Sequence, residues 1–430
     1  MGVTPTSTST SEAVEAVFRI ESARIIARVA RIVRDVGIAE ELAQDALMAA
    51  LVQWPESGVP DNPGAWLMAT AKHRAIDLIR RRDTFARKLA EVGRSLEDVP
   101  PPEPSGADDI DDDLLRLIFT ACHPLLSREA RIALTLRLLG GLTTEEIARA
   151  YLAADATVAQ RIVRAKRTLA RAGVPFEVPS GLDRTERLSS VLEVIYLIFN
   201  EGYSATAGDD LLRPALCEDA LRLARVLEAL MPGEPEVHGL AALLEFQASR
   251  MAARTGPDGE PVLLADQNRA RWNRMFIRRG IEALERAGDG PYSLQAAIAA
   301  CHARAVTFAD TDWTTIAALY GQLMVLTPSP VVELNRAVAV SRAEGPTAGL
   351  TLVDALTDDP ALQGYHLLPS VRGDLLERLG RHEEASAAFS AAAALTRNER
   401  ERELLLDRAA RAGAGPKSAA PDSAVSQAPS

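Results

Sequence analysis

Gly141-Leu142-Thr143-Thr144-Glu145-Glu146-Ile147-Ala148, running on through Thr157-Val158 to Leu169-Ala170-Arg171, is the stretch that decides the fold. At about 100° per residue, Val158, Ile162, Ala165 and Leu169 fall within a stripe of roughly 60°, which defines the buried face of a helix. Thr157, Gln160, Arg164, Arg167 and Arg171 gather within ~80° on the opposite side. Arg161 and Lys166 flank that face, and it carries no acid. Arginine and glutamine make paired hydrogen bonds to guanine and adenine edges in the major groove. The segment from Thr144 to Ala148 reads as a short supporting helix with Thr143 or Thr144 as its N-cap. The pair is a helix-turn-helix. A basic solvated face on an interhelical hairpin would carry the same charges, and that alternative stays open on this segment alone.

About eighty residues upstream lies Trp66-Leu67-Met68-Ala69-Thr70-Ala71-Lys72-His73-Arg74-Ala75-Ile76-Asp77-Leu78-Ile79-Arg80-Arg81-Arg82. The same projection places Leu67, Ala71, Ala75, Leu78, Ile79 and Ile76 on one half of a helix. Trp66, Thr70, His73, Asp77, Arg80 and Arg81 gather within ~100° on the other, with Arg74 and Lys72 nearby. An aromatic ring and an imidazole among arginines suit a strand whose bases are unstacked, because stacking tolerates any base. Asp77 is placed to pair with Arg81 one turn on. Trp66 could equally pack on the proline-rich loop before it.

The surrounding composition fits. The chain has 430 residues, 47% of them hydrophobic and only 4% aromatic. It is long enough for several domains, and Ala, Leu and Arg favour helices packed on helices. No apolar run long enough to span a membrane exists, and the N-terminus lacks a signal peptide, so a cytoplasmic location is expected. Three scattered cysteines (Cys122, Cys217, Cys301) exclude a disulfide framework and read as core residues. The net charge of −11 is unevenly spread: Lys72–Lys88 holds seven basic residues against two acids, and Arg161–Arg171 five against none. A protein that binds DNA alone needs a stronger positive field, whereas one delivered to DNA by a larger basic partner does not.

An all-α fold is expected. Two small helical domains, 12–90 and 114–175, the second a helix-turn-helix, are joined by the linker 91–113, whose prolines precede an aspartate run favourable at a helix start. Pro55, Pro60 and Pro63 with Gly58 read as a loop before the Trp66 helix. Residues 184–411 read as a larger domain of helical hairpins. Asp312-Trp313, Gly345-Pro346 and Gly380-Arg381 open Ala/Leu-rich helices at intervals of 33 and 35 residues, as in tetratricopeptide-like repeats. Residues 1–11 and 412–430 read as disordered tails.

Both modules resemble the extracytoplasmic-function sigma factors of the sigma-70 family. Trp66-Leu67, Ala71-Lys72-His73, Ala75-Ile76-Asp77 and Arg80-Arg81-Arg82 follow that family's first promoter-reading helix, with His73 where Asn is usual. Ala39-Glu40-Glu41-Leu42-Ala43-Gln44-Asp45-Ala46-Leu47 resembles its polymerase-gripping helix. The helix-turn-helix matches without a gap, but Leu152 stands where the family has Gly, which puts the turn geometry in question. Tyr196–Tyr203, Gly290–Ala300 and Pro328–Ala337 are similar to a subgroup with a long tetratricopeptide-like extension. The resemblance implies that core RNA polymerase and promoter DNA are the partners. Trp66, Thr70, Lys72, His73, Arg74, Arg80 and Arg81 would read and help melt the −10 element, with the Trp54–Pro63 loop capturing a flipped base. Thr157, Gln160, Arg161, Arg164, Lys166, Arg167 and Arg171 would bind the −35 duplex. Glu40, Glu41, Leu42, Gln44, Asp45 and Leu47 would hold the polymerase.

The extension shows no nucleotide loop, HExxH or Ser/Cys-His constellation, so no enzymatic activity, cofactor or metal is expected. Asn200-Glu201-Gly202-Tyr203 reads as a structural turn or as the edge of a small-molecule pocket, since Gly202 permits a sharp turn. The extension is expected to regulate the sigma modules in cis, through a partner protein contacting it. A stand-alone helix-turn-helix regulator, or a tetratricopeptide scaffold with no DNA role, remain the alternatives.

Overall fold

The computed structural model describes residues 7–90, 108–205 and 211–414. The expected tails, apart from 7–11 and 412–414, and most of the linker lie outside them. The described residues are helical, with one isolated bridge between Thr255 and Pro261. They form two compact units, dividing not at Arg184 but at residues 204–212 and again between Leu244 and Glu245.

In the first unit, α1 (Ser7–Val33), α2 (Val36–Ser57) and α3 (Pro63–Ala90) pack on one another. Asp35 caps α2 by accepting from the Gly37 and Ile38 amides at 2.7 and 3.0 Å. Ala39, Ala43, Ala46 and Ala50 make a buried stripe on α2, small enough to let α1 approach closely. The loop expected from Trp54 to Pro63 is shorter: α2 runs to Ser57 with Pro55 inside its last turn, and Trp54 is 2% exposed. Burial of Trp54 stabilises that turn against the one hydrogen bond that Pro55 removes.

The second module comprises α4 (Asp108–Ala121), α5 (Arg128–Leu138), α6 (Thr144–Ala150) and α7 (Asp155–Arg171). Thr143 is the N-cap of α6 and forms a capping box with Glu146. Val158, Ile162, Ala165 and Leu169 are the buried residues of α7, the stripe that the sequence period predicts. In the turn between α6 and α7, Leu152 adopts φ 48° with its side chain 58% exposed. A branched side chain in that left-handed region costs roughly 1–2 kcal/mol. Leu152→Gly loses little packing, so it should raise the stability of the module by about 1 kcal/mol, read as a higher thermal midpoint.

The same unit continues through α8 (Gly181–Tyr203), α9 (Pro214–Leu230) and the first part of α10 (Pro235–Ser249). Gly202 makes no sharp turn. It lies inside α8 where α9 crosses, and a Cβ there would stand 2.7 Å from the Cys217 amide nitrogen.

The second unit runs from the end of α10 through α11 (Arg274–Leu284), α12 (Pro291–Arg304), α13 (Trp313–Leu326), α14 (Pro330–Ala343), α15 (Pro346–Asp354), α16 (Leu367–Arg378), α17 (His382–Leu395) and α18 (Glu399–Gly413). From α12 onward each helix packs on its sequence neighbour. The three repeat openings read from the sequence fall at the starts of α13, α15 and α17. Leu334, Leu350, Leu375, Phe389 and Leu405 share one apolar core spanning α14 to α18.

Candidate nucleic-acid and polymerase interface

On α7, Thr157, Gln160, Arg164, Arg167 and Arg171 are all exposed and face away from the buried stripe. Arg161 is half-buried beside them. Lys166 is not free: its ammonium is paired with Glu40 of α2.

On α3, His73, Asp77, Arg80 and Arg81 are exposed, and Thr70, Lys72 and Arg74 are half-buried. The Asp77–Arg81 pair expected from the spacing is not made; Arg74 instead reaches Asp45 of α2 at 3.4 Å. Trp66 stacks edge-on against Trp54, ring centroids 5.4 Å apart, so one side of its indole is committed to the fold and the rest is half-exposed. With Trp54 buried, the open segment before α3 shrinks to residues 58–62.

Along α2, Glu41 and Asp45 are exposed, while Leu42, Gln44 and Leu47 are half-buried. Met48 (59% exposed) and Val52 (69%) continue the exposed line one and two turns on, and the sequence reading missed them. They put apolar surface in water on the same helix that carries the exposed carboxylates of Glu41 and Asp45. Glu40 departs from the set. Its carboxylate is buried, accepting from Arg137 Nε at 2.6 Å and from Gln44 Nε2 at 2.9 Å in addition to the Lys166 pair.

A second buried carboxylate joins the modules. Asp113 of α4 is 0% exposed, 3.1 Å from Arg28 and 3.6 Å from Arg31 of α1, and 2.7 Å from Arg116. Burial pushes its pKa up against the pull of these three guanidiniums.

The start of the extension supports the helix-turn-helix from behind. Arg187 donates to the Phe119 carbonyl at the end of α4 (3.1 Å), and Arg222 to the Leu139 carbonyl at the end of α5 (3.0 Å). Arg213, paired with Glu201, donates to the Ala150 carbonyl at the end of α6. Each guanidinium therefore satisfies a carbonyl that a helix C-terminus leaves without an intrahelical donor. Ser190 Oγ adds a bond to the Cys122 carbonyl at 2.6 Å. The Asn200–Tyr203 segment belongs to this support, with Glu201 orienting Arg213. Burial raises the Cys122 thiol to about 11, which makes it an inert core residue.

Among the described residues, no group of His, Cys, Asp and Glu is placed to hold a metal, and no helix is long and apolar enough to cross a membrane. The site thus consists of two helical modules with an exposed cationic face on α7, an exposed basic face on α3 and an exposed face of mixed carboxylates and apolar side chains on α2.

Comparison with known proteins agrees. Residues 18–85 match the family model described as sigma-70 region 2, and residues 116–169 that of sigma-70 region 4. Residues 187–288 match a family of unknown function, DUF6596. An uncharacterized protein of Rhizobium meliloti (strain 1021) is 45% identical over 380 residues, covering 86% of this chain and 89% of the relative. The ECF RNA polymerase sigma factor SigK of Mycobacterium sp. (strain KMS) is 27% identical over 155 residues, 35% of this chain and 78% of the relative. SigK of Mycobacterium ulcerans (strain Agy99) is 26% identical over 150 residues, 34% and 78% of the two chains. The chain belongs to the extracytoplasmic-function group of the sigma-70 family and carries a C-terminal helical extension. Members of that family are non-enzymatic regulators that recognise promoters and start transcription.

Proposed function

We propose that this chain binds core RNA polymerase and divides promoter reading between its two modules. The helix-turn-helix anchors on the −35 duplex through Thr157, Gln160, Arg164, Arg167 and Arg171, with Arg161 and Lys166 on the flanking phosphates. The α3 face (His73, Arg80 and Arg81, with Trp66, Thr70, Lys72 and Arg74 beside them) takes the −10 strand as it melts. The exposed line of α2, namely Glu41, Asp45, Met48 and Val52 with Leu42, Gln44 and Leu47 beside it, docks on the polymerase. The observation that carries this reading is the outer face of α7, which holds an amide, a hydroxyl and three guanidiniums with no carboxylate among them. The extension regulates the sigma modules, and a partner protein bound to its helix pairs would act on them. The contacts of Arg187, Arg213 and Arg222 with α4, α5 and α6 support the first half of that statement.

One bidentate base contact is worth roughly 1–3 kcal/mol of discrimination. Arg164→Ala should therefore lower −35-dependent transcription by roughly ten- to a hundredfold. It should also flatten base preference at one −35 position while leaving polymerase affinity unchanged. Competition among promoters permuted at single −35 positions measures this. Unaltered output with unaltered preference would remove Arg164 from the site.

A further inference from the structure

Within the second unit, the turn after α10, the start of α16 and the first turns of α18 line a cavity of about 250 Å³. Its apolar wall includes Leu211, Leu264 and Leu405, and its polar wall Arg250, Arg254 and Glu401. The charges there do not cancel. Against the upward push of burial, His366, Thr396 and Arg254 hold the Glu401 carboxyl below its usual range, so that carboxylate is already engaged. Arg250 has no such partner. It donates Nε to the buried Gln267 at 3.3 Å and lies over the Trp272 ring at 5.3 Å, and no carboxylate pairs with it among the described residues. Arg269 stacks on the same ring at 4.6 Å, its guanidinium spent on the His302 and Ala305 carbonyls. The surplus positive charge is felt next door: burial, then Arg250 and Arg269, push the His302 imidazole down to about 4. An adjoining cavity of about 380 Å³ lacks the surplus, because its Arg408 is neutralised by Asp374 and Glu377.

A guanidinium with its terminal nitrogens open, set beside leucines, suits a planar monoanion with an apolar tail. A phosphate would bring more charge than one guanidinium balances. The volume lies below the roughly 300–1,000 Å³ of typical ligand pockets, so the occupant is small. One wall of the cavity also has a route to the helix-turn-helix. Leu211 belongs to the second unit although it stands between α8 and α9 in the chain. It is buried, and its carbonyl accepts from the Ala205 amide at 3.0 Å. The Ala205 carbonyl accepts from Asn398 Nδ2 at 3.2 Å, and Asn398 caps α18, whose Glu401 lines the cavity. Two residues beyond Leu211 comes Arg213, whose guanidinium closes the end of α6.

We propose that this cavity is an effector site for a small organic carboxylate with an apolar tail, held by Arg250, whose binding steadies Leu211 and with it the grip of Arg213 on α6. The inference deepens, and rests on, the reading that the extension regulates the sigma modules. The carboxylate meets the one guanidinium of the cavity that lacks a counter-charge, and the tail covers the leucines.

Calorimetric titration of the full-length chain with octanoate, and with octanamide as its uncharged counterpart, tests the site. Octanoate should bind about tenfold or more tightly than octanamide, the difference that a charged hydrogen bond supplies. Arg250→Gln should bring the two probes level. Ser370→Phe, which adds a ring to the cavity wall from α16, should weaken both. Ser370 makes no side-chain hydrogen bond among the described residues, so this second variant keeps its fold even where loss of the Trp272 stack unsettles the first. Hydrogen exchange of the α6 amides on the same samples reads the link. Protection should rise about fivefold when octanoate is added to the native chain, and stay unchanged in Ser370→Phe. No binding of octanoate at about 1 mM, or equal binding of the two probes by the native chain, overturns the site and leaves regulation by the extension standing. Octanoate binding that survives Ser370→Phe undiminished puts the probe elsewhere and also overturns it. Binding at the cavity with unchanged α6 exchange overturns the link to the helix-turn-helix, and with it the regulatory reading of this site.

Discussion

A chain ended at residue 180 is expected to lose the cooperative unfolding and the duplex binding of its helix-turn-helix, whereas a chain ended at residue 244 keeps both. The shorter chain contains every residue that the sequence assigns to DNA, so the expectation runs against the motif boundaries. Ending at 180 removes the arginine bonds on the terminal carbonyls of α4, α5 and α6. It also removes the Glu193 carboxylate 3.1 Å from Arg131 and the buried Leu188, Val191, Leu192 and Ile195 of α8. Hydrogen bonds from a charged donor contribute about 1.5–3 kcal/mol each. Three of them are comparable to the whole stability of a small domain, about 5–15 kcal/mol. Ending at 244 leaves all of these contacts in place. Thermal unfolding followed by circular dichroism, with duplex binding on the same samples, separates the two. Equal melting of both fragments would reduce the arginine contacts to surface decoration.

Asp113→Ala should weaken the closed first unit by about 3–5 kcal/mol, the cost of breaking a buried ion pair by removing one partner. Asp113 is fully buried, and Arg28 is only 7% exposed with Asp113 as its ion-pair partner. The substitution strands a guanidinium in the seam between α1 and α4, whereas an apolar replacement of both partners would not. Arg28→Met added to Asp113→Ala should therefore recover part of the loss. Hydrogen exchange of the α1 and α4 amides under native conditions reports it, with protection falling about a hundredfold or more in the single variant at 1.4 kcal/mol per tenfold change. Protection equal to that of the native chain would mean that the seam does not depend on this carboxylate.

The helix-turn-helix was legible because its information is local. A 3.6-residue period gave the buried Val158, Ile162, Ala165 and Leu169, and Thr143 with Glu146 three residues later gave the start of α6. The hairpin starts at Trp313, Pro346 and His382 were legible as a repeat interval. The seam was not read, although a signal existed. Glu40 follows Val36 by four residues and precedes Ala43 by three, which puts a carboxylate on an apolar face. Asp113, four residues before Leu117, sits on the buried side of α4. In sequence it reads as one more aspartate favouring a helix start, because four others stand beside it. Arg187, Arg213 and Arg222 had no local signal, since their partners are carbonyls 63 to 83 residues away. Pro55 reads as a loop residue because a proline's lost hydrogen bond is visible in sequence, whereas the packing of Trp54 that compensates for it is not.

On the proposed function, the two modules act together on one promoter through core RNA polymerase. Run-off transcription with purified core polymerase on a library of genomic fragments, with and without the full-length chain, tests it most directly. New start sites are expected that appear only with the chain and share two upstream motifs about 25 base pairs apart, roughly 85 Å of duplex. Absence of new start sites with the full-length chain would contradict it, as would start sites that share only one of the two motifs.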